Sequence, residues 1–450
     1  MTTTTLTRRA GRWGLSALSP VLVLLGLSCS SLTSVDAPDI LQPGQVNTPD
    51  GANVLRVGGL SDFYYFVIFY PDGVPGWTGI VSDELVSGGY DQILEAADAR
   101  RLTADAEITY FSMHLARHNF EAAIAAYKSF PQLSQDYTGE LYAMLGLDED
   151  YFGELFCSGV PFTEIVDGQP QYGPQLTTQQ MFARALSDAD SAVKYAVDTL
   201  RFKYLAQLVR ARVLLNTGQF DSAAAAVSGV PTTFLFNAEA ADLVYQANII
   251  GLNQRFSLLY GVADTQGVNG LNFVSSGDPR IAPNLENLGL GTDLRTTIYL
   301  WKPYGDITSP VPLANGVEAR LIEAEAALQR GDATTWFTTL NTLRTDGTQT
   351  GGVYNPGTGG VAGLAPLADP GTAALRVDLT FRERAFWLFF TGHRLGDLRR
   401  LIRQYGRSQD TVFPIGPYKN NGSFGSDVNV AVPSGEKNNP NFHGCLDRNP

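Results

Sequence analysis

The stretches YLAQLVRARVLLNTGQFDSAAAAV (204–227) and ARLIEAEAALQRGDATTWFTTLNTLR (319–344) carry one pattern twice. A shift of 113 positions lays Ala324 on Ala211, Leu328 on Leu215 and Gly331 on Gly218. In the first copy Leu205, Leu208, Ala211 and Leu215 recur at spacings of three and four, which places them on one helix face. Gly218 ends that helix, because a helix C-terminus favours a residue free to take positive φ. Phe220 packs the turn, and Ala223 to Val227 begin a second helix whose small side chains permit close approach. A third stretch, ITYFSMHLARHNFEAAIAAYKS (108–129), aligns Leu115 with Leu215 and Phe120 with Phe220. It carries His118 where the glycine would stand. MFARALSDADSAVKYAV (181–197) adds another amphipathic helix just before the first copy.

Paired helices of this kind resemble tetratricopeptide repeats. The copies are scattered rather than tandem, so the pattern predicts a mostly α fold in which such pairs are joined by long irregular loops. The chain supplies the material for those loops, with 46 glycines and 24 prolines. Two insertions, 262–296 and 345–378, and the tail from Phe413 onward show little periodicity. Loops longer than about 12–15 residues are usually functional or disordered.

The amino end reads VLVLLGLSCSSLTS around Cys29. Arg8, Arg9 and Arg12 precede an apolar stretch from Trp13 to Leu27 that is broken at Pro20. A membrane span needs about 20 apolar residues, so a basic start and a short apolar core describe a cleaved signal peptide over residues 1–28. Ser28 followed by Cys29 resembles a bacterial lipobox, in which the cysteine becomes the acylated first residue. Residues 29–50 then read as a lipidated tether, and 51–450 as a single ligand-binding domain attached to the membrane by its anchor alone. Once Cys29 carries lipid, Cys157 and Cys445 remain. They could form one disulfide in an oxidising compartment or stay as two separate buried thiols.

A net charge of −13 would repel a phosphate backbone, which argues against nucleic acid. With 44% hydrophobic and 17% charged residues the chain can bury a large core and is too apolar for disorder. There is no G-x-S-x-G elbow, P-loop, C-x-x-C pair or G-x-G-x-x-G after a strand, so neither an enzyme nor a cofactor is read. His114 and His118 would share a helix face, but no third ligand accompanies them and no metal site is assigned. LDEDYFGE (147–154) lacks the alternating ligands and central glycine of a calcium loop.

The most specific stretch is FRERAFWLFFTGHRLGDLRRLIR (381–403), a helix with a thick aromatic face, broken at Gly392 and resumed with a basic end. Glu383 and Arg384 followed by Gly392, His393, Arg394, Asp397, Leu398 and Arg400 resemble the signature helix of the SusD-like (RagB/SusD) lipoproteins. Members of that family usually carry Glu where this chain has Trp387 and Thr391. CSGVPFTEI (157–165), Asp278-Pro279-Arg280, the helix ending NTLR (341–344) and VNVAVPSGEKNNPNF (428–442) are similar to other family segments, in the family's order. The resemblance implies a surface-exposed lipoprotein of the bacterial outer membrane, lid to a TonB-dependent (SusC-like) barrel. Such a protein captures oligosaccharides or peptides and catalyses nothing. The alternating charges of the signature helix predict an ion-pair network that joins helices. Aromatic rings near turns that could stack on sugars are Trp77, Trp301, Tyr304 and Tyr354, while FYYFVIFY (63–70) reads as a buried helix. The alternative is an envelope scaffold lipoprotein of tetratricopeptide type that binds proteins and no nutrient.

Overall fold

The computed structural model describes residues 47–69, 73–101, 106–166, 169–243, 246–345, 364–419 and 422–450. The leader at 1–28, Cys29, most of the tether and Tyr354 lie outside them. The first helix, α1 (Pro49–Tyr64), begins where Thr48 accepts a hydrogen bond from Gly51 N at 3.0 Å, with proline in the first turn. Phe63, Phe66 and Val67 are buried as FYYFVIFY predicts, but the helix widens into a π turn at Tyr65–Phe69. α2 (Val74–Ile80) and α3 (Gln92–Asp98) are short. Asp91 caps α3 by accepting from Ile93 N at 2.7 Å.

α4 (Glu107–Ser129) is one unbroken helix of 23 residues. The third copy of the repeated pattern therefore gives no helix pair: without a glycine at His118 nothing stops propagation, and one long helix replaces a hairpin. The other two copies do fold as pairs. α7 (Leu200–Asn216) turns into α8 (Phe220–Val227) through Gly218 at φ 75°, and α10 (Gly316–Gln329) into α11 (Ala333–Thr345) through Gly331 at φ 77°.

α5 (Gln135–Leu155) is the central helix, in contact with α1, α2, α4, α6 (Thr178–Tyr195), α7 and α13 (Arg394–Tyr405). α6 starts in a capping box formed by Thr177 and Gln180. Between the pairs lie α9 (Ile250–Phe256), and later α12 (Ala373–Trp387) and α14 (Gln409–Val412). α13 approaches α5 so closely that a Cβ at Gly396 would sit 2.6 Å from Glu154 Oε1.

The strands are short and pair two by two, always antiparallel. They are β1 (Leu85–Ser87) with β7 (Tyr260–Val262), β2 (Val160–Pro161) with β5 (Gln175–Leu176), and β3 (Glu164–Val166) with β4 (Gln169–Gln171). β6 (Leu235–Ala238) pairs with β10 (Val311–Asn315), β8 (Leu285–Leu290) with β9 (Thr297–Trp301), and β11 (Pro417–Tyr418) with β12 (Gly422–Ser423). They pin the irregular loops onto a mostly α body, and Asn47–Pro450 forms one compact unit. Among the described residues no helix is long and apolar enough to cross a membrane.

Cys157 and Cys445 are joined, with Cα atoms 5.9 Å apart. The tail is stitched to the end of α5 beside that bond. Cys157 N donates to Val430 O at 2.8 Å, Val430 N to Leu155 O at 2.9 Å and Leu446 N to Ser158 O at 2.7 Å.

Candidate functional site

Most charges of the signature stretch are internal, with Arg382 and Arg403 partly exposed. α12 ends at Trp387, a turn follows in which Phe390 and Gly392 take positive φ, and α13 begins at Arg394. Glu383 accepts from Arg280 Nη1 at 2.9 Å, Arg344 Nη1 at 2.7 Å and Trp387 Nε1 at 3.1 Å. Asp397 accepts from Arg384 Nε and Arg400 Nη2, each at 2.8 Å. Burial works against its ionisation, yet Arg384 and Arg400 hold it down to about 2. Arg400 also reaches Glu325 at 2.6 Å, and Arg394 reaches Asp83 at 2.6 Å. The network joins α10, α11, α12 and α13 to the loop after α2, as the alternating signs predict. Two residues stand where the resemblance expects glutamate. Trp387 gives its indole N–H to Glu383, and Thr391 gives its hydroxyl to Leu388 O at 2.6 Å.

Glu84 is the exception within this cluster. Its Oε1 accepts from Phe390 N at 3.0 Å, while Oε2 is buried with no partner among the described residues. Burial pushes its carboxyl up to about 8, against the Phe390 N–H and Arg394. A folded-state value above the unfolded one means that the fold favours the protonated acid. That contribution is complete below the ordinary carboxylate range and is lost as pH rises towards about 8. The variant Glu84→Gln, neutral at every pH, is expected to flatten the fall in unfolding free energy between pH 5 and pH 8. The difference in slope should reach up to about 1.4 kcal/mol per pH unit. Urea titrations of both proteins at three pH values measure it, and parallel slopes would refute the assignment.

Three of the four turn-flanked aromatics, Trp77, Trp301 and Tyr304, lie elsewhere than a binding surface. Trp77 is 1% exposed, Trp301 0% and Tyr304 1%, so none offers a ring face to a sugar. Trp77 belongs to α2, whose residues are all buried, because the short helix passes beneath α13. Trp301 packs edge-on to Phe389 at 4.9 Å, and Tyr304 donates its hydroxyl to Phe390 O at 2.9 Å. Trp301 and Tyr304 wall the aromatic face of the signature stretch. His114 is packed among Tyr110, Phe152 and Phe162, and burial lowers its basicity. Among the described residues no group of three or more His, Cys, Asp and Glu could hold a metal ion.

A cleft of about 600 Å³ opens between α3, the tip of the β8–β9 hairpin and the β11–β12 hairpin, lined by Gln92, Glu95, Arg101, Asp293, Tyr418 and Lys419 among others. Lys419 organises it. Its Nζ lies 2.5 Å from Glu95 Oε2, 2.9 Å from Ser87 O, 3.6 Å from Asp98 Oδ2 and 3.8 Å from Asp293 Oδ2. Beneath it, Tyr418 OH donates to Asp98 Oδ2 at 3.0 Å, and burial raises Asp98 to about 6 despite the nearby lysine. Two carboxylates, a lysine and a guanidinium balance, so the cleft lining offers donors and acceptors without a net charge. Tyr90, 66% exposed, precedes Gln92 of this lining by two residues, between Gly89 and the α3 cap Asp91. Gly89 abuts the hairpin so tightly that a Cβ there would lie 2.6 Å from Asp293 Cβ. Sequence reading missed these residues. Their one local signal is an aromatic in SGGYDQ, held between two glycines and a helix cap, where little surrounds it.

No family model matches the chain, and no curated protein does. Solved structures do. A SusD superfamily protein from Parabacteroides distasonis superposes with a TM-score of 0.64 at 13% identity, covering 88% of this chain and 98% of that one. Surface glycan-binding protein A from Bacteroides uniformis gives 0.63 at 14%, covering 88% and 99%. A SusD-like carbohydrate binding protein from Bacteroides vulgatus gives 0.61 at 13%, covering 88% and 97%. With the helix pairs, the buried signature network and this correspondence over almost the whole length of each neighbour, the chain has the SusD-like fold.

Proposed function

We propose that the protein captures oligosaccharides at the bacterial cell surface and passes them to a TonB-dependent barrel of the outer membrane. In this reading residues 1–28 are removed, Cys29 carries lipid, 29–50 form the tether and 51–450 the single binding domain, facing the cell exterior. The observation that carries the reading is the neutral cleft beside exposed Tyr90, on a fold shared with a surface glycan-binding protein. An exposed flat ring, two residues along the chain from a cleft that carries amide, carboxylate and ammonium groups, suits neutral sugar hydroxyls. A peptide with charged ends would find no unbalanced charge to bind. Glu95 and Asp293 both face Lys419, an arrangement for orienting hydroxyls rather than for transferring protons, so the cleft reads as a binding site and not as a catalytic one.

The test is calorimetric titration with neutral oligosaccharides of several linkages, and with tripeptides, against the protein and Tyr90→Ala. One glycan class is expected to bind, with an affinity at least about five-fold lower in the variant, the loss of one stacking contact. Binding of tripeptides alone, or equal affinity in the variant, would overturn the assignment of this cleft. A mild-detergent pull-down from native outer membranes tests the partner. A large barrel recovered in near-equal amount is expected, and recovery of other envelope proteins alone would favour a scaffold.

A further inference from the structure

A second cavity, about 390 Å³, lies away from the cleft, between α12, α13, α14 and the loop carrying Asn269 and Leu271. Three guanidinium groups line it, Arg382, Arg394 and Arg407, against one carboxylate, Asp378. In a chain of net charge −13 such a local excess of cations needs a reason.

Two of the three arginines are already satisfied. Arg394 places Nε and Nη2 on Asp83 at 2.6 and 2.9 Å. Arg407 gives Nη2 to Ala374 O and to Asp378 Oδ1, both at 2.6 Å. Arg382 differs. Among the described residues it makes one hydrogen bond, from Nη2 to Asn272 Oδ1 at 3.2 Å, and its guanidinium lies 4.7 Å from the centre of the Phe386 ring. Among the described residues no carboxylate lies within ion-pair distance of it. It is partly buried, and burial together with the charge of Arg280 makes its protonated form harder to hold. A guanidinium has five donors in a planar fork suited to two oxygens of one anion. Leaving such a charge half out of water without a counter-ion is costly. The rest of the lining includes apolar Phe381, Leu398, Leu401 and Val412.

We propose that this cavity binds a single oxyanionic group, a carboxylate, sulfate or phosphate, held in the Arg382 fork, with the rest of a small ligand lying on the Phe381–Leu401 wall. The site is separate from the Tyr90 cleft and does not depend on the sugar reading. A ligand carrying an acidic substituent could use it where the neutral cleft gives such a group no counter-charge.

Titration calorimetry of the full chain with sodium acetate, sodium sulfate and inorganic phosphate, at ionic strength held constant with chloride, tests it. At least one anion is expected to bind saturably, one per chain. A preference for acetate identifies a planar carboxylate site, and a preference for sulfate or phosphate a tetrahedral one. Arg382→Gln should weaken that binding at least about tenfold, the value of one charge-assisted contact. Arg382→Lys, which keeps the charge but not the fork, should fall between. Saturable binding unchanged in both variants, or no saturable binding of any of the three anions, would overturn the proposal. Binding of neutral oligosaccharides should be the same in all three proteins.

Discussion

Replacing Glu383 by Gln should destabilise the protein by about 3–5 kcal/mol, because it leaves the buried guanidinium of Arg280 and the partly buried one of Arg344 sharing a neutral amide. Glu383 is 2% exposed and gathers Arg280, Arg344 and the Trp387 indole, while Arg280 is also held by Asp278 at 2.7 Å. The carboxylate therefore ties α12 to the end of α11 and to the loop at Asp278. The amide of the variant would turn an N–H towards one of these donors, so the loss exceeds that of one hydrogen bond. Arg255→Gln makes the contrast, since its pair with Glu286 lies on the surface at 2.8 Å, where water and salt replace it. Guanidinium titration should show a clear fall in midpoint for Glu383→Gln and none for Arg255→Gln. Equal midpoints in all three proteins would mean that the network contributes specificity without stability.

That network was the part of the molecule most legible in the sequence. Alternating Glu, Arg and Asp on an aromatic helix have few uses other than mutual pairing, because such charges are seldom buried unpaired. The helix pairs were legible too, since Gly218 and Gly331 mark stops that only backbone freedom explains. The long helix α4 was not, because its apolar spacing copies that of a pair and only the missing stop distinguishes them. Trp77, Trp301 and Tyr304 misled for a related reason. A Gly- and Pro-rich flank signals a turn, but it does not say on which side of the chain the core lies. The cleft is built from residues near 92, 293 and 419. No local pattern records that these three segments meet, and a lysine such as Lys419 looks like any surface lysine until its four oxygens are placed around it.

Replacing Cys157 and Cys445 together by serine should cost about 2–5 kcal/mol, within the range for removing a native disulfide. The bond closes a loop between positions 288 residues apart, which restricts the unfolded chain strongly. It does not act alone, since the tail is also zippered to α5 through Cys157 N, Val430 N and Leu446 N. Arg448 adds bonds to Asn429 Oδ1 at 2.6 Å and to Asn429 O at 2.7 Å. The two contributions separate by hydrogen exchange in the native state. If the bond mainly constrains the unfolded chain, the double variant loses global stability while Val430 N and Leu446 N keep their protection relative to the core. If it mainly holds the tail in place, those amides exchange first and the helices around α5 remain protected. The covalent length of the loop favours the first outcome, because the zipper bonds remain when the sulfurs are gone. A double variant whose denaturation midpoint matches that of the oxidised protein would show that the zipper suffices, and that the cysteines add nothing to stability.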